Sequence, residues 1–316
     1  MFDGTALGYA PQKRKRVRDT MDRALPVKAQ PAAPGRVFAA WGQAFGSWGS
    51  SDSDGNAAAL SRSTGGFITG LDVTFPGGRG GDIWRAGLAG GYQYTSLNVG
   101  DRNSSGHIDT YHLAAYGGRQ IGPLGLRAGA SYGWHDISTS RNIIFPGFSD
   151  TTKANYDAGT AQVFGEVGYA VAYRQFALEP FAGLTYVSVR TAAFAEAGGA
   201  AALNGTGGTS DTTYSSLGLR AASALPWREL SGLTAKASAA WRHAFGTVTP
   251  TAQLGFASGT TPFVVAGTPI ARDAAAIELG LEGTVARGAT LGVAYIGQVA
   301  GHADDHGITA NYVQRF

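Results

Sequence analysis

Residues 275 to 285, AAIELGLEGTV, set two glutamates inside an apolar stretch, and this alternation limits what the chain can fold into. A helix cannot separate Ile277, Leu279 and Leu281 from Glu278 and Glu282, because residues two apart lie on different sides of a helix. On a β-strand the odd-numbered side chains form an apolar face and the even-numbered ones a polar face. The stretch therefore predicts a strand with one apolar and one water-accessible face, as in a soluble antiparallel sheet or a membrane barrel with a water-filled interior.

The same alternation recurs along most of the chain from Arg36 onward. In LGLRAGASYGWHD the even-numbered positions are apolar, and the odd-numbered ones include Arg127, Ser131 and His135. The apolar faces carry small residues in the middle and aromatic residues toward the ends, which is typical of lipid-facing strands between two interfacial girdles. Twelve strands are predicted, at residues 36–48, 64–75, 83–98, 106–119, 124–140, 154–173, 175–194, 212–225, 232–246, 273–286, 289–300 and 306–316.

The connections that follow even-numbered predicted strands differ in length from those that follow odd-numbered ones. Those after strands 2, 4, 6, 8 and 10 are short (PGGRGG, QIGPLG, YRQ, LPWREL and ARG), whereas those after strands 1, 3, 5, 7 and 9 are mostly longer and polar. Outer-membrane barrels have short periplasmic turns and longer extracellular loops. A soluble sandwich has no reason to sort its loops in this way, so the pattern favours an all-β, antiparallel transmembrane barrel.

Composition excludes several other classes of protein. Charged residues make up only 15% of the 316, and no apolar run approaches the length of a transmembrane helix. The net charge of +3 is too small to indicate nucleic-acid binding, and the absence of cysteine excludes a disulfide or thiolate–metal framework. The N-terminus lacks the apolar segment of a signal peptide, so an exported protein with this sequence is expected to be a piece of a longer precursor.

The first 35 residues differ from the rest. KRKRVRDTMDRAL, at 13–25, predicts a short basic helix that ends before Pro26, and VKAQPAAPG predicts a proline-rich linker. The chain is thus predicted to divide into a helix and linker at residues 1–35 and a barrel at residues 36–316. The cations of the basic helix are Lys13, Arg14, Lys15, Arg16 and Arg18.

Motifs that would indicate an enzyme fit a strand better than an active site. GASYG, at 129–133, matches the G-x-S-x-G pattern with His135 and Asp136 nearby, but that motif needs a sharp strand-to-helix turn and here lies within a predicted strand. The histidines show no metal-ligand spacing. His302 and His306 lie around a predicted loop with Asp304 and Asp305, for which a solvated loop is favoured over a surface cation site. We therefore expect no catalytic residue, no bound metal and no cofactor.

Several stretches of the chain, in this order, resemble one family of bacterial proteins. They are WGQAFGSWG followed by DGN (41–56), GFITGLD (66–72), AGLAGGYQYTS (86–96), HIDTYHLAAYGG (107–118), AQVFGEVGYA (161–170), ALEPFAGLTYV (177–187) and the C-terminal NYVQRF. Together they are similar to the translocator, or β-domain, of monomeric autotransporters, which are type V secretion proteins of Gram-negative bacteria.

The resemblance implies a twelve-stranded barrel, integral to the outer membrane, with an N-terminal helix threaded through its pore. A covalently linked passenger would lie upstream and be carried to the cell surface. The implied partners are the lipid bilayer of the outer membrane, the passenger, the barrel-assembly machinery and periplasmic chaperones, with no nucleic acid.

Two features depart from the family pattern. Outer-membrane barrels similar to this chain end in an aromatic residue preceded by alternating apolar residues, which the assembly machinery reads; Ile308, Tyr312 and Phe316 fit, whereas Gln314 occupies a usually apolar position. Some relatives release the passenger by cyclising an asparagine of the pore helix. Residues 1 to 35 contain no asparagine, and the first is Asn56, so release by that route is not expected.

Strand parity also assigns charged residues to the interior of the predicted barrel. The lumen-facing set is Asp72, Arg85, Arg127, Glu166, Glu179, Arg220, Lys236, Arg242, Glu278 and Glu282. One hypothesis is that Asp72, Glu166, Glu278 and Glu282 hold the basic helix through a network of ion pairs. The alternative is that interior charges pair across neighbouring strands and the helix merely fits. Parity does not decide between them, because it leaves the strand register open.

The leading functional prediction is a translocator that inserts as a barrel, exports its linked passenger and anchors it at the cell surface. A second interpretation is a small-solute porin or adhesin-type barrel whose N-terminal segment is a periplasmic tail. A third is a soluble β-protein, whose apolar strand faces would pack against another protein layer instead of lipid.

Overall fold

Twelve long strands follow one another around a closed antiparallel sheet in the computed structural model, which describes residues 35–55, 57–77, 82–225, 232–259 and 261–316. The last strand pairs with the first, in a register that runs from Ala39 opposite Arg315 to Ser51 opposite Ala303. Closure leaves no unpaired sheet edge. The strands are β1 (Val37–Ser51), β2 (Leu60–Gly77), β3 (Asp82–Val99), β4 (Ser104–Ile121), β5 (Leu124–Phe145), β6 (Phe148–Tyr169), β7 (Phe176–Thr191), β8 (Gly208–Ala224), β9 (Leu233–Phe245), β10 (Asp273–Ala286), β11 (Ala289–Ala300) and β12 (Ala303–Arg315).

The predicted all-β class, the antiparallel pairing and the number of barrel strands are therefore confirmed. The predicted basic helix at 13–25 lies outside the described residues. Across the part of the chain that the structure describes, no helix is long and apolar enough to cross a membrane.

The two faces of the barrel wall differ as the alternation predicts. Leu71 and Leu88 are 65% and 63% exposed, whereas Asp72 is only 5% exposed. Trp41 Nε1 donates a hydrogen bond of 2.6 Å to the Tyr116 hydroxyl, which joins β1 to β4 over the two strands between them. Side chains of strands so far apart can meet only on the concave side of a closed wall. The polar face is therefore the inner one, and the apolar face is the outer one.

Some predicted strand boundaries are wrong at the end of the barrel that carries the long connections. NIIFPGFSDTTK was expected to be a loop, but β5 and β6 continue to Phe145 and Phe148 and join through Pro146 and Gly147. Gly147 has a φ of +82°, a conformation that glycine adopts without steric cost. Likewise β12 begins at Ala303, three residues before the predicted start at 306, so Asp304 and Asp305 lie in a strand and not in the predicted loop. The polar composition of these segments concealed their strands.

The connections after β7 and β9 pair with each other. They contribute short strands to a separate four-stranded sheet, the loop sheet, and one more segment, Ala197–Gly198, pairs with Lys153 and Thr152 of β6. The long connections are thus attached to the β5–β6 hairpin. The strands of the loop sheet, in spatial order, are Phe263–Ala266, Thr251–Phe256, Leu203–Gly205 and Phe194–Ala195.

An ion pair fastens the connection after β7 to the end of β5. Arg141 donates to both carboxylate oxygens of Glu196, at 3.0 and 2.5 Å, and to the Ala201 carbonyl oxygen at 2.8 Å. The Leu203 N–H donates to the same carboxylate at 2.9 Å. Partial burial acts to raise the pKa of Glu196, but the hydrogen bonds and the charge of Arg141 outweigh it, so this pKa lies below its ordinary value.

Candidate functional site

Four charged side chains on β5, β6, β7 and β8 form a cluster inside the barrel. Arg127 Nη1 lies 2.6 Å from Glu166 Oε1 and 2.6 Å from Glu179 Oε1, and its Nη2 donates to Glu179 Oε2 at 2.9 Å. Arg220 donates to Glu166 at 2.6 and 2.8 Å and to Glu179 at 2.9 Å. Each arginine therefore contacts both carboxylates. We call these four residues the charge quartet.

The quartet reaches across intervening strands because a small residue leaves room. Arg127 on β5 contacts Glu179 on β7, and Arg220 on β8 contacts Glu166 on β6. A Cβ atom at Gly168 would stand 2.7 Å from Glu179 Oε1, so a side chain there would displace the carboxylate. Bonds between an arginine and a carboxylate are charge-assisted and are roughly twice as strong as neutral ones. The quartet thus ties four consecutive strands together from inside.

A second polar network lies on β1 to β4. Arg85 Nη2 is 2.5 Å from Asp72 Oδ2, and the Tyr116 hydroxyl donates to the same oxygen at 3.1 Å. Trp41 in turn donates to Tyr116. A Cβ atom at Gly87 would stand 2.5 Å from the Tyr116 ring, so a glycine on β3 lets that ring pass over the strand. The buried Asp72 carboxylate is satisfied by groups from two other strands.

A third network lies on β9 to β11. Lys236 Nζ is 2.7 Å from Glu282 Oε2, and both side chains are about a quarter exposed. Arg242 Nη1 donates to the Gln298 side-chain oxygen at 2.7 Å, across β10. Glu278 lines the same cavity as Arg242. These contacts are fewer than those of the quartet and more accessible to water.

Between these networks many of the residues that line the bore are small. The walls of the cavity there come from strands on opposite sides of the barrel. An α-helix with its side chains is about 10–12 Å wide, so small side chains are what a bore needs if it is to admit one. The small lining residues include Ala114, Ser131, Gly183, Ser216, Ala240 and Ala276.

The ion pairs bear on how the predicted basic helix could be held. The structure pairs Asp72, Glu166 and Glu282, three of the four carboxylates assigned to that helix, with cations of the barrel strands. Such pairs are what the alternative predicts, and the network that would hold the basic helix stays a hypothesis. Among the described residues, at least eight of the ten predicted lumen residues take part in such pairs. Lys13, Arg14, Lys15, Arg16 and Arg18 lie outside the described residues.

The histidine nearest to the serine motif in sequence contacts threonines. His135 Nδ1 lies 2.9 Å from the Thr110 hydroxyl and its Nε2 lies 2.8 Å from the Thr160 hydroxyl, so both ring nitrogens are bonded to threonines and not to Ser131. Ser131 is within β5, with the alternating side chains of a regular strand.

The C-terminal residue takes part in closing the barrel. Phe316 and Phe38 exchange two backbone hydrogen bonds, of 3.0 and 3.1 Å, beside the β1–β12 pairing. Ile308, Tyr312 and Phe316 are exposed on the outer face, at 52%, 44% and 70%. Their role as an assembly signal stays a prediction.

Sequence reasoning missed the aromatic members of the inner networks. Trp41 and Tyr116 were counted only within family-like stretches, and Phe181, whose ring centre lies 3.8 Å from the Arg220 guanidinium, was not singled out. For Phe181 the sequence did carry a signal, because it has the same parity within β7 as Glu179. An aromatic ring over a cation is a favourable contact.

Comparison with known proteins finds a matching family model and two related sequences. A sequence model of the family described as "Autotransporter beta-domain" matches residues 40–296. Two extracellular serine proteases of Serratia marcescens are 37% and 36% identical to the chain over 278 residues, which are 88% of this chain and 26% of each protease. The chain thus spans about a quarter of the length of these relatives.

Solved structures show the same fold at low sequence identity. The translocator domain of the autotransporter NalP from Neisseria meningitidis matches with a TM-score of 0.68 and 17% identity, over 89% of each chain. The β-domain of the Bordetella autotransporter BrkA matches with a TM-score of 0.60 and 17% identity, over 88% of this chain and 98% of that one. The transport unit of AIDA-I from Escherichia coli gives 0.57 and 15%, over 92% of each.

Proposed function

The chain belongs to the autotransporter β-domain family, and on this premise we propose that it carries a covalently linked upstream passenger across the outer membrane, in which the barrel is an integral protein. One observation carries the proposal: a closed wall, apolar outside, surrounds a bore with a polar and small-residue lining. Such a bore gives a polypeptide a water-accessible route through lipid. The serine protease activity named for the Serratia relatives belongs to those proteins, and the passenger of this chain is left open.

A bore-filling substitution tests the route directly. We expect Ala276→Trp, on the inner face of β10, to reduce surface exposure of an epitope placed upstream of residue 1, because the indole fills the lumen. Ala275→Trp changes the neighbouring residue on the outer face and should leave export unchanged. The measurement is antibody binding to intact cells. If the barrel is instead a porin, the epitope stays inside the cell in the wild type and in the variants. Ala276→Trp then lowers conductance only.

We further propose that the division at residues 1–35 and 36–316 is functional, with residues 13–25 forming a helix that occupies the bore. The small-residue lining supports this, since it leaves room for a helix. The interior charges listed by parity would then line the lumen around it, with the helix held mainly by its fit. Removing residues 1–34 should raise single-channel conductance severalfold in a planar bilayer, whereas a porin with a periplasmic tail should conduct equally with and without them.

Assembly is proposed to depend on the C-terminal strand. Ile308, Tyr312 and Phe316 present an apolar, aromatic outer face that supports recognition by the barrel-assembly machinery after delivery by periplasmic chaperones. We expect Phe316→Ser to lower the amount of folded barrel in the outer membrane. The substitution retains both backbone hydrogen bonds to Phe38, so a loss of assembly would reflect the side chain.

A further inference from the structure

The charges inside the barrel balance. Of the ten charged side chains that strand parity assigns to the bore, half are cations and half are carboxylates. Within the described part of the chain at least eight of them are joined in ion pairs, so positive and negative groups lie side by side and their fields largely cancel. The cations are Arg85, Arg127, Arg220, Lys236 and Arg242, and the carboxylates are Asp72, Glu166, Glu179, Glu278 and Glu282.

The same balance of charge extends beyond the three networks, toward the end of the barrel that carries the long connections. Arg62 of β2 pairs with Asp305 of β12 over the intervening β1. Arg141 pairs with Glu196 at the end of β5. Each of these cations therefore also has a carboxylate in contact with it.

The charge quartet is the largest of these networks and lies toward the short-turn end. Arg127 and Glu166 are each close to the ends of β5 and β6 that join β4 and β7 through short connections. Glu179 and Arg220 lie near the same end of β7 and β8. If the short turns face the periplasm, as in other outer-membrane barrels, a passenger enters the bore past these four residues.

Rings of like charge make a pore selective for the opposite sign, because low-dielectric walls concentrate their field. We propose that the charge quartet keeps this part of the bore electrically neutral, so that the translocator accepts polypeptide of either sign. This inference rests on the proposed function and adds a specificity to it. Within the quartet, the negative charges of Glu166 and Glu179 cancel the positive charges of Arg127 and Arg220. The two carboxylates alone, or the two arginines alone, would leave a net charge.

The test compares acidic and basic cargo in variants of the full chain. Inserts of consecutive glutamates, lysines or glutamines are placed between an upstream epitope and residue 1, and surface exposure of the epitope is measured on intact cells. In the wild type we expect acidic and basic inserts to be exported within about twofold of each other, since the quartet exerts no net field on them. Glu166→Gln with Glu179→Gln should raise the acidic-to-basic ratio about tenfold, the low end of charge focusing in clefts.

Two further variants make the outcome specific. Arg127→Gln with Arg220→Gln should lower the ratio by a similar factor. All four substitutions together restore neutrality without any ion pair, and they should return the ratio to the wild-type value. A merely structural role predicts no such return, because the four-fold variant removes every contact of the quartet.

Controls separate the possible failures. Asp211→Asn removes a carboxylate from the outer face of β8 and should leave the ratio unchanged. Heat-modifiable gel mobility verifies that each barrel is folded, and the single variants Glu166→Gln and Arg220→Gln give opposite, smaller shifts if a double variant fails to assemble. A wild type that favours one sign tenfold, or variants that leave the ratio unchanged, would overturn the inference. Failure to export even the glutamine insert would instead refute the proposed function.

Discussion

Replacing Glu179 with glutamine removes one carboxylate from the charge quartet and leaves its shape. Glu179 accepts hydrogen bonds from Arg127 at 2.6 and 2.9 Å and from Arg220 at 2.9 Å. The Arg127 side chain is only 6% exposed, so water does not replace the lost partner. Breaking a buried ion pair costs about 3–5 kcal/mol, and Glu166 still contacts both arginines, so we expect about 3 kcal/mol of lost stability.

The matched change is Glu282→Gln. Glu282 has Lys236 as its ion-pair partner at 2.7 Å, and the two side chains are 25% and 27% exposed. A pair this accessible contributes about 1 kcal/mol or less. Both variants would be refolded into lipid vesicles, and their free energies of unfolding compared by guanidinium titration followed by tryptophan fluorescence. Equal losses in the two variants would refute the reasoning that burial and multiple contacts distinguish the quartet.

Two other predictions concern the connection after β7, which Glu196 fastens to β5, and the packing of glycines in the barrel wall. Because the pKa of Glu196 lies below the ordinary 4.5, its stabilising contribution is complete above pH 4.5 and disappears as the pH falls through the folded-state pKa. Amide protection across residues 192–207, measured as the exchange rate relative to that of the unfolded chain at the same pH, should therefore fall at pH 3 in the wild type and be already low at pH 7 in Glu196→Gln. Gly218→Ala places a methyl group 2.6 Å from the Ala239 carbonyl oxygen and should cost about 2 kcal/mol by overpacking, measured as a lower temperature of heat-modified gel migration. Gly165→Ala, with no atom within 4 Å of the new methyl group, should migrate like the wild type.

The strands and their two faces could be predicted because the period of two is a local property. Leu279 and Glu278 are neighbours in sequence, and their opposite environments follow from strand geometry alone. The alternation of short and long connections then distinguished a membrane barrel from a soluble sandwich. No knowledge of which residues touch across the barrel was needed for these conclusions.

The partners inside the bore could not be predicted in the same way. Arg127 meets Glu179 two strands away, and this depends on the register of β5, β6 and β7 and on the space above Gly168. Register is not fixed by a local pattern. For the same reason the sequence did not show which cation each carboxylate contacts. Asp72, which was assigned to the basic helix, pairs with Arg85.

Strands that extend beyond the apolar band were also missed. The segment after Ser140 in β5 carries Arg141 and Asn142 and lacks the alternation of the lower part of the strand. Outside lipid neither face needs to be apolar, so hydrogen bonding between β5 and β6 continues without a sequence signal. The loop sheet escaped prediction for a related reason, because its short strands pair across two connections that are distant in sequence.

The central claim is that lipid covers the odd-numbered face of β10 and water reaches the even-numbered face inside the barrel. The chain has no cysteine, so single cysteines at Leu279→Cys and Glu278→Cys can each carry one environment-sensitive fluorophore. In vesicles, brominated acyl chains should quench the label at position 279, and a water-soluble quencher should reach the label at position 278. The opposite pattern, or equal quenching of both labels by lipid, would contradict the account.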